Sequence, residues 1–179
     1  MKNNNDEYNK DVIEFVTVAV QFCLLAENAT ENSRDEFVDK MTKILALMYL
    51  KALMLPDYDN DQDIFLEEFV DEQNYNIVRG NIALLFGQYD DFLDVFVEDM
   101  KYSENPVLCT ISENIADIYQ DVKNFVMNFK IAAHDSVIFE AVAKCKNDFS
   151  FYWGQKLVNV IRPLHEIKYQ LKDNEQDAL

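Results

Sequence analysis

The sequence predicts an all-α fold, a single-domain bundle of six to eight helices. Three observations carry that expectation. Gly and Pro number only three each in 179 residues, about a quarter to a third of ordinary usage, whereas sheets joined by tight turns need both. Two apolar runs, Val12–Ala26 and Met41–Leu55, are of core-helix length. Two capping boxes, Ser33-x-x-Glu36 and Thr110-x-x-Glu113, mark helix starts. The length suits one domain that buries roughly 70% of its unfolded surface, and 49% hydrophobic content supplies the core.

The domain is expected over residues 9–171, behind a disordered polar N-terminus at 1–8 and ahead of a polar tail at 172–179. A first helix is predicted from Asn9 to Asn28, because Val12, Phe15, Val16, Ala19, Phe22, Cys23 and Ala26 recur at helical spacing. Ile13, Val18, Val20 and Leu24 widen that stripe until little polar face remains, which marks a central helix. The second helix follows the Ser33 cap to about Met54 and stops before Pro56.

An acidic loop at 56–62 leads to a third helix from near Asp63, interrupted around Asp71–Asn74 and resumed through Ile77–Phe86. Gly87 sits where a C-cap belongs. A short helix is predicted over Asp90–Met100. The strongest pattern follows Thr110, with Ile111, Ile115, Ile118, Val122, Phe125, Val126 and Phe129 spaced by three and four. Asp135 is expected to cap the next helix, through about Lys146. In the last one, Pro163 removes the hydrogen bond to Asn159 and is expected to kink the chain.

Charge is unevenly distributed. The formal net charge is −17, and residues 52–122 hold 17 Asp/Glu against only Arg79 and Lys101. A surface this acidic repels phosphate backbones and anionic lipids and attracts cations. Nucleic-acid and membrane partners are therefore disfavoured, and a basic protein partner is expected. The apolar runs are too short to span a bilayer, and the polar start M-K-N-N-N-D-E-Y-N-K lacks an h-region. Three cysteines, Cys23, Cys109 and Cys145, make no C-x-x-C pair and no even set, which suits a reducing cytoplasm.

Carboxylates provide the candidate chemistry. Asp90, Asp91, Asp94 and Glu98 would share one face of the Asp90–Met100 helix. Glu113, Asp117 and Asp121 stand at successive i, i+4 steps on the following helix, opposite its isoleucine stripe. Like charges so placed repel one another, which asks for a reason. If the rows face each other, Asp90, Asp91, Asp94, Glu113, Asp117 and Asp121 are the candidate ligands of a divalent cation, Mg²⁺ or Mn²⁺. Otherwise they coat a hydrated surface.

Other motifs carry less. Asp57, Asp59, Asp61 and Glu68 fill EF-hand loop positions one, three, five and twelve, but Gln62 stands where the turn needs glycine. A solvated loop is the expectation. His134 and His165 belong to no E-x-x-H or H-E-x-x-H pattern. Near the start of the last helix, Phe149, Phe151, Tyr152 and Trp153 form the densest aromatic patch. Aromatics at this spacing usually serve the core, but Tyr152 and Trp153 are the candidates for a partner-binding face, because Trp and Tyr dominate interface hot spots.

Four strings bear on kinship: Y-L-K-A-L-M-L-P at Tyr49–Pro56, Y-D-D-F-L-D-V-F at Tyr89–Phe96, I-S-E-N-I-A-D-I-Y-Q-D at Ile111–Asp121, and F-Y-W-G-Q-K-L-V-N-V-I-R-P-L-H at Phe151–His165. In that order and spacing the chain resembles a family of uncharacterised bacterial proteins, a domain of unknown function. The resemblance implies an all-helical single domain and no particular activity.

A soluble interaction or regulatory module with an acidic face is the function these observations favour, with no catalytic residue and no cofactor beyond a divalent cation. The rival is a metal-dependent hydrolase. All-helical nucleotide pyrophosphatases chelate Mg²⁺ through E-x-x-E and E-x-x-D pairs on facing helices, and Glu68-x-x-Asp71 and Asp91-x-x-Asp94 have comparable spacing.

Overall fold

The computed structural model describes residues 9–58, 64–94 and 107–176, the side chains of 171–176 excepted. About 80% of the described residues are helical. Asn9 caps α1 (Lys10–Glu27) by accepting from the Asp11 amide, and Asn28 closes it. The Ser33 capping box is complete and opens α2 (Arg34–Leu53). α3 (Glu72–Phe86) is capped by Asp71 and ends at Gly87, whose φ of 55° only glycine adopts without strain.

The central element is α4 (Ile111–Ile131), capped by Thr110, which accepts from the Glu113 amide. It packs against α1, α3, α5 (Asp135–Asp148) and α6 (Gly154–Gln176), while α2 closes the bundle against α1 and α6. Contacts such as Phe15–Phe125 at 5.4 Å and Phe37–Phe86 at 5.8 Å knit the core. α5 and α6 join without a break through a π turn at Phe149–Trp153. Six α-helical stretches thus make five separate helices among the described residues, just under the expected count. No helix among them is long and apolar enough to cross a membrane.

Three segments differ from expectation. Residues 64–70 form no helix, because α4 supplies hydrogen-bond partners to several of their backbone groups. Asn128 Oδ1 accepts from the Glu67 amide and Asn128 Nδ2 donates to the Glu67 carbonyl. Asn124 Oδ1 accepts from the amides of Phe69 and Val70. Two asparagines one turn apart thus hold a strap along the helix.

The helix expected from Asp90 begins instead as β1 (Asp91–Asp94), paired antiparallel with β2 (Val107–Thr110); the rest of that expected helix, 95–100, lies outside the described residues. Like charges one turn apart oppose a helix here, and Asp90 is drawn to the start of α4. Finally, His134 rather than Asp135 occupies the N-cap of α5, without a side-chain cap bond. α6 contains Pro163 and runs to Gln176.

Candidate functional site

Asp90 is buried at the N-terminus of α4. Its Oδ1 accepts from the Ser112 amide at 2.8 Å, its Oδ2 from the Ser112 hydroxyl at 2.6 Å, and its own carbonyl from the Ile111 amide. The carboxylate therefore meets unpaired amides and the positive end of the helix dipole. Asp94 is also buried and accepts from Asn159 Nδ2 at 2.8 Å, whereas Asp91 points to solvent. The Asp90 and Asp94 side chains are thus engaged with protein donors.

Among the described residues no three His, Cys, Asp or Glu side chains form a group that could hold a metal ion. The six-carboxylate site expected from Asp90, Asp91, Asp94, Glu113, Asp117 and Asp121 is not assembled. The physical reason is that the first row stands on a strand and not on a helix face. The pyrophosphatase-like pairs fare similarly, since Asp71 caps α3 by accepting from the Asn74 amide and Glu68 lies on the strap. Of the EF-hand positions, Asp57 pairs with Lys146 at 2.5 Å, and Asp59 and Asp61 lie outside the described residues.

The second row is genuine, but only its first member, Glu113, is exposed. α4 is packed on several sides, so the side opposite its isoleucine stripe is covered further along, and Asp117 is only 8% exposed. Tyr75 of α3 donates its hydroxyl to Asp117 Oδ1 at 2.8 Å, and Lys156 of α6 lies 3.0 Å from Oδ2. Burial and the Asp117 charge raise the Tyr75 phenol and push Tyr152 up to about 12. Both tyrosines therefore remain neutral donors around a neutralised carboxylate.

One turn further, Asp121 differs. Its Oδ2 is buried and has no hydrogen-bond partner. It borders a cavity of about 140 Å³ whose walls include Leu66 of the strap, Asn124, Phe125, Lys144 and Asp148. The nearby ammonium of Lys144 bonds Asp148 at 2.7 Å. Burial first, and Asp148 second, raise the Asp121 carboxyl to about 6.

A carboxyl whose folded pKa lies above its unfolded value favours the fold while protonated, and that contribution fades as pH climbs from about 4 through 6. With allowance for solvent screening of a partly exposed group, the ionised form costs about 1–2 kcal/mol at neutral pH. Asp121→Asn is therefore expected to raise the melting temperature at pH 7.5 and to leave it nearly unchanged at pH 4.5. Equal shifts at both pH values would show that Asp121 is not the titrating group.

The aromatic patch divides. Trp153 is fully buried and donates its indole N–H to the Cys145 carbonyl at 3.1 Å, so it is a core residue and not the partner-binding one expected. Tyr152 is 47% exposed and Phe151 75%. Lys156 lies 5.6 Å above the Tyr152 ring. Tyr75, Lys144, Asp148, Lys156, Asn124 and Asn128 escaped sequence reasoning. The available signals were the one-turn spacings of Tyr152 with Lys156, of Lys144 with Asp148 and of Asn124 with Asn128.

Residues 6–170 match the family profile described as Domain of unknown function (DUF5063). The chain is also similar to protein BF1032 from Bacteroides fragilis, known from a crystal structure, with 41% identity over 90% of this chain and 94% of that one and a TM-score of 0.80. No curated protein matches it.

Proposed function

The chain belongs to the family described as Domain of unknown function (DUF5063), and on that footing we propose that it is a cytoplasmic binding module which docks a basic protein partner. The observation that carries this reading is the state of the α4 row. Asp117 is already neutralised inside the protein, whereas Asp121 keeps a buried oxygen unpaired. Around it the acids of 52–122 face only two bases in the same stretch, and Glu67, Glu68, Asp71, Glu72 and Glu113 are exposed. Such a field draws in a cationic surface and sets its rate of encounter. The three cysteines are unpaired, in keeping with a reducing compartment.

Binding to a lysine-rich peptide, followed by calorimetry in a salt series, tests this proposal. Affinity is expected to fall at least tenfold between 50 and 300 mM salt, about as expected when exposed charges dominate. No binding at 50 mM, or affinity indifferent to salt, would remove the proposal.

A further inference from the structure

We propose that the outer face of α2 is the contact through which two copies of this chain associate, α2 against α2 about a twofold axis close to Leu50. This goes beyond the docking of a basic partner and does not rest on it, since that reading concerns the acidic side of the molecule. Leu47, Leu50, Leu53 and Met54 lie at the C-terminal end of α2, and each is between 43% and 57% exposed. A bundle helix normally carries polar residues on the face away from the core. Single exposed leucines are common, but four neighbouring apolar side chains on one outer face mark a contact surface.

Charge decides what can cover this face. The chain as a whole carries −17, so two copies repel each other over most of their surface. From Lys40 to Leu55, however, there are three lysines and no acid, and the chain engages each lysine itself. Lys43 pairs with Asp39 at 2.6 Å, Lys51 pairs with Glu14 at 2.5 Å, and Lys40 donates to Asn32 Oδ1 at 2.8 Å. A charged partner therefore finds little to pair with here, whereas an identical face meets no like-charge penalty. Other exposed apolar groups lack that property. Leu93 shares its strand with Asp91 and Asp94, Phe65 shares the strap with Glu67 and Glu68, and Tyr152 lies in the field of Asp117, Asp121 and Glu113.

The stripe also complements itself. Ala46, Leu50 and Met54 stand at successive i, i+4 steps, with Leu47 and Leu53 on either side, and all five are exposed. Rows of this spacing form the ridges that interlock when helices pack. With the axis at Leu50, the long Met54 of one copy falls opposite the short Ala46 of the other. Leu50 meets its own counterpart, as an isologous contact requires. The four larger side chains offer on the order of 350 Å² of apolar surface per copy. Both stripes with a polar rim bury about 1,200 Å² in total, the small end for a specific contact, so a micromolar association is expected.

Sedimentation equilibrium of the full-length protein tests this, over about 10 µM to 1 mM protein and at ~50 and ~300 mM sodium chloride. A monomer–dimer equilibrium is expected that tightens as salt rises, because screening removes the net repulsion and leaves the apolar contact. Docking of a basic partner responds to salt with the opposite sign, so either reading can fail without the other.

Leu50→Glu and Leu50→Lys are each expected to weaken the dimer at least tenfold, since like charges then meet at the axis. An equimolar mixture of the two variants is expected to recover association, because opposite charges then face each other. Leu84→Glu, at a position 81% exposed on α3, is expected to leave the dimer unchanged. A protein that stays monomeric throughout, a dimer that salt loosens, a dimer that both Leu50 variants keep, or a loss that the mixture does not restore would overturn the proposal.

Discussion

Trp153→Ala is expected to lower the unfolding free energy by about 3–5 kcal/mol, the usual range for removing a large buried aromatic. The indole is fully buried, lies 6.3 Å from the Phe15 ring of α1 and 4.7 Å from Phe149, and ties its N–H to the Cys145 carbonyl. Chemical denaturation of the wild type and variant at pH 7 measures the difference. A loss below about 1 kcal/mol would mean that the core closes over the gap, and that Trp153 does not fix how α5 meets α6.

Gly154→Ala has an expected effect opposite in sign to helix propensity. Alanine in place of a helical glycine ordinarily adds up to about 1 kcal/mol of stability. Here a Cβ on Gly154 would lie 2.3 Å from the Phe149 carbonyl oxygen and 2.8 Å from its ring. The ring could move, but the carbonyl accepts the Gly154 amide as the bond that closes the π turn, so relief requires undoing that turn. A net loss of about 2–3 kcal/mol is expected, comparable to overpacking a tight core. The matched change Gly80→Ala serves as a control, because nothing lies within 4 Å of a Cβ there. If the two glycines respond alike, the close approach at Phe149 carries no energetic weight.

Where side chains face one apolar neighbour, the sequence was a good guide. The stripe of α1, the Ser33 box, the Gly87 stop and the Ile111–Phe129 pattern all appear in the folded chain near their expected places. The failures have a common cause in partners from distant sequence. Residues 64–70 carry apolar side chains that look helical, but Asn124 and Asn128 outbid an α-helix for their backbone groups. Asp90 is claimed by Ser112, and the strand that follows it pairs with 107–110.

The candidate site was half legible for the same reason. Spacing placed Glu113, Asp117 and Asp121 on one side of a helix, and the opposed isoleucines suggested solvent there. A stripe on one face says nothing about the other when helices pack on both. Tyr75, Lys156, Lys144 and Asp148 come from three other helices, and no local pattern says that they meet the α4 row. Trp153 shows the converse: within one aromatic run, the phase of the π turn buries Trp153 and exposes Phe151, and a five-residue turn is not visible in a period of 3.6.

The strap also sets an order of events during synthesis. Its anchoring acceptors are side chains 54 to 61 residues later in the chain. The segment cannot settle until Asn128 has left the ribosome and α4 has wound. Leu66, Phe69 and Val70 emerge well before that point, so this stretch of the nascent polypeptide waits with these apolar residues uncovered, at a stage when α1 and α2 can already pair. Chaperones that recognise short extended apolar peptides would meet the chain there, and the completion of α4 is the step that withdraws that stretch from them.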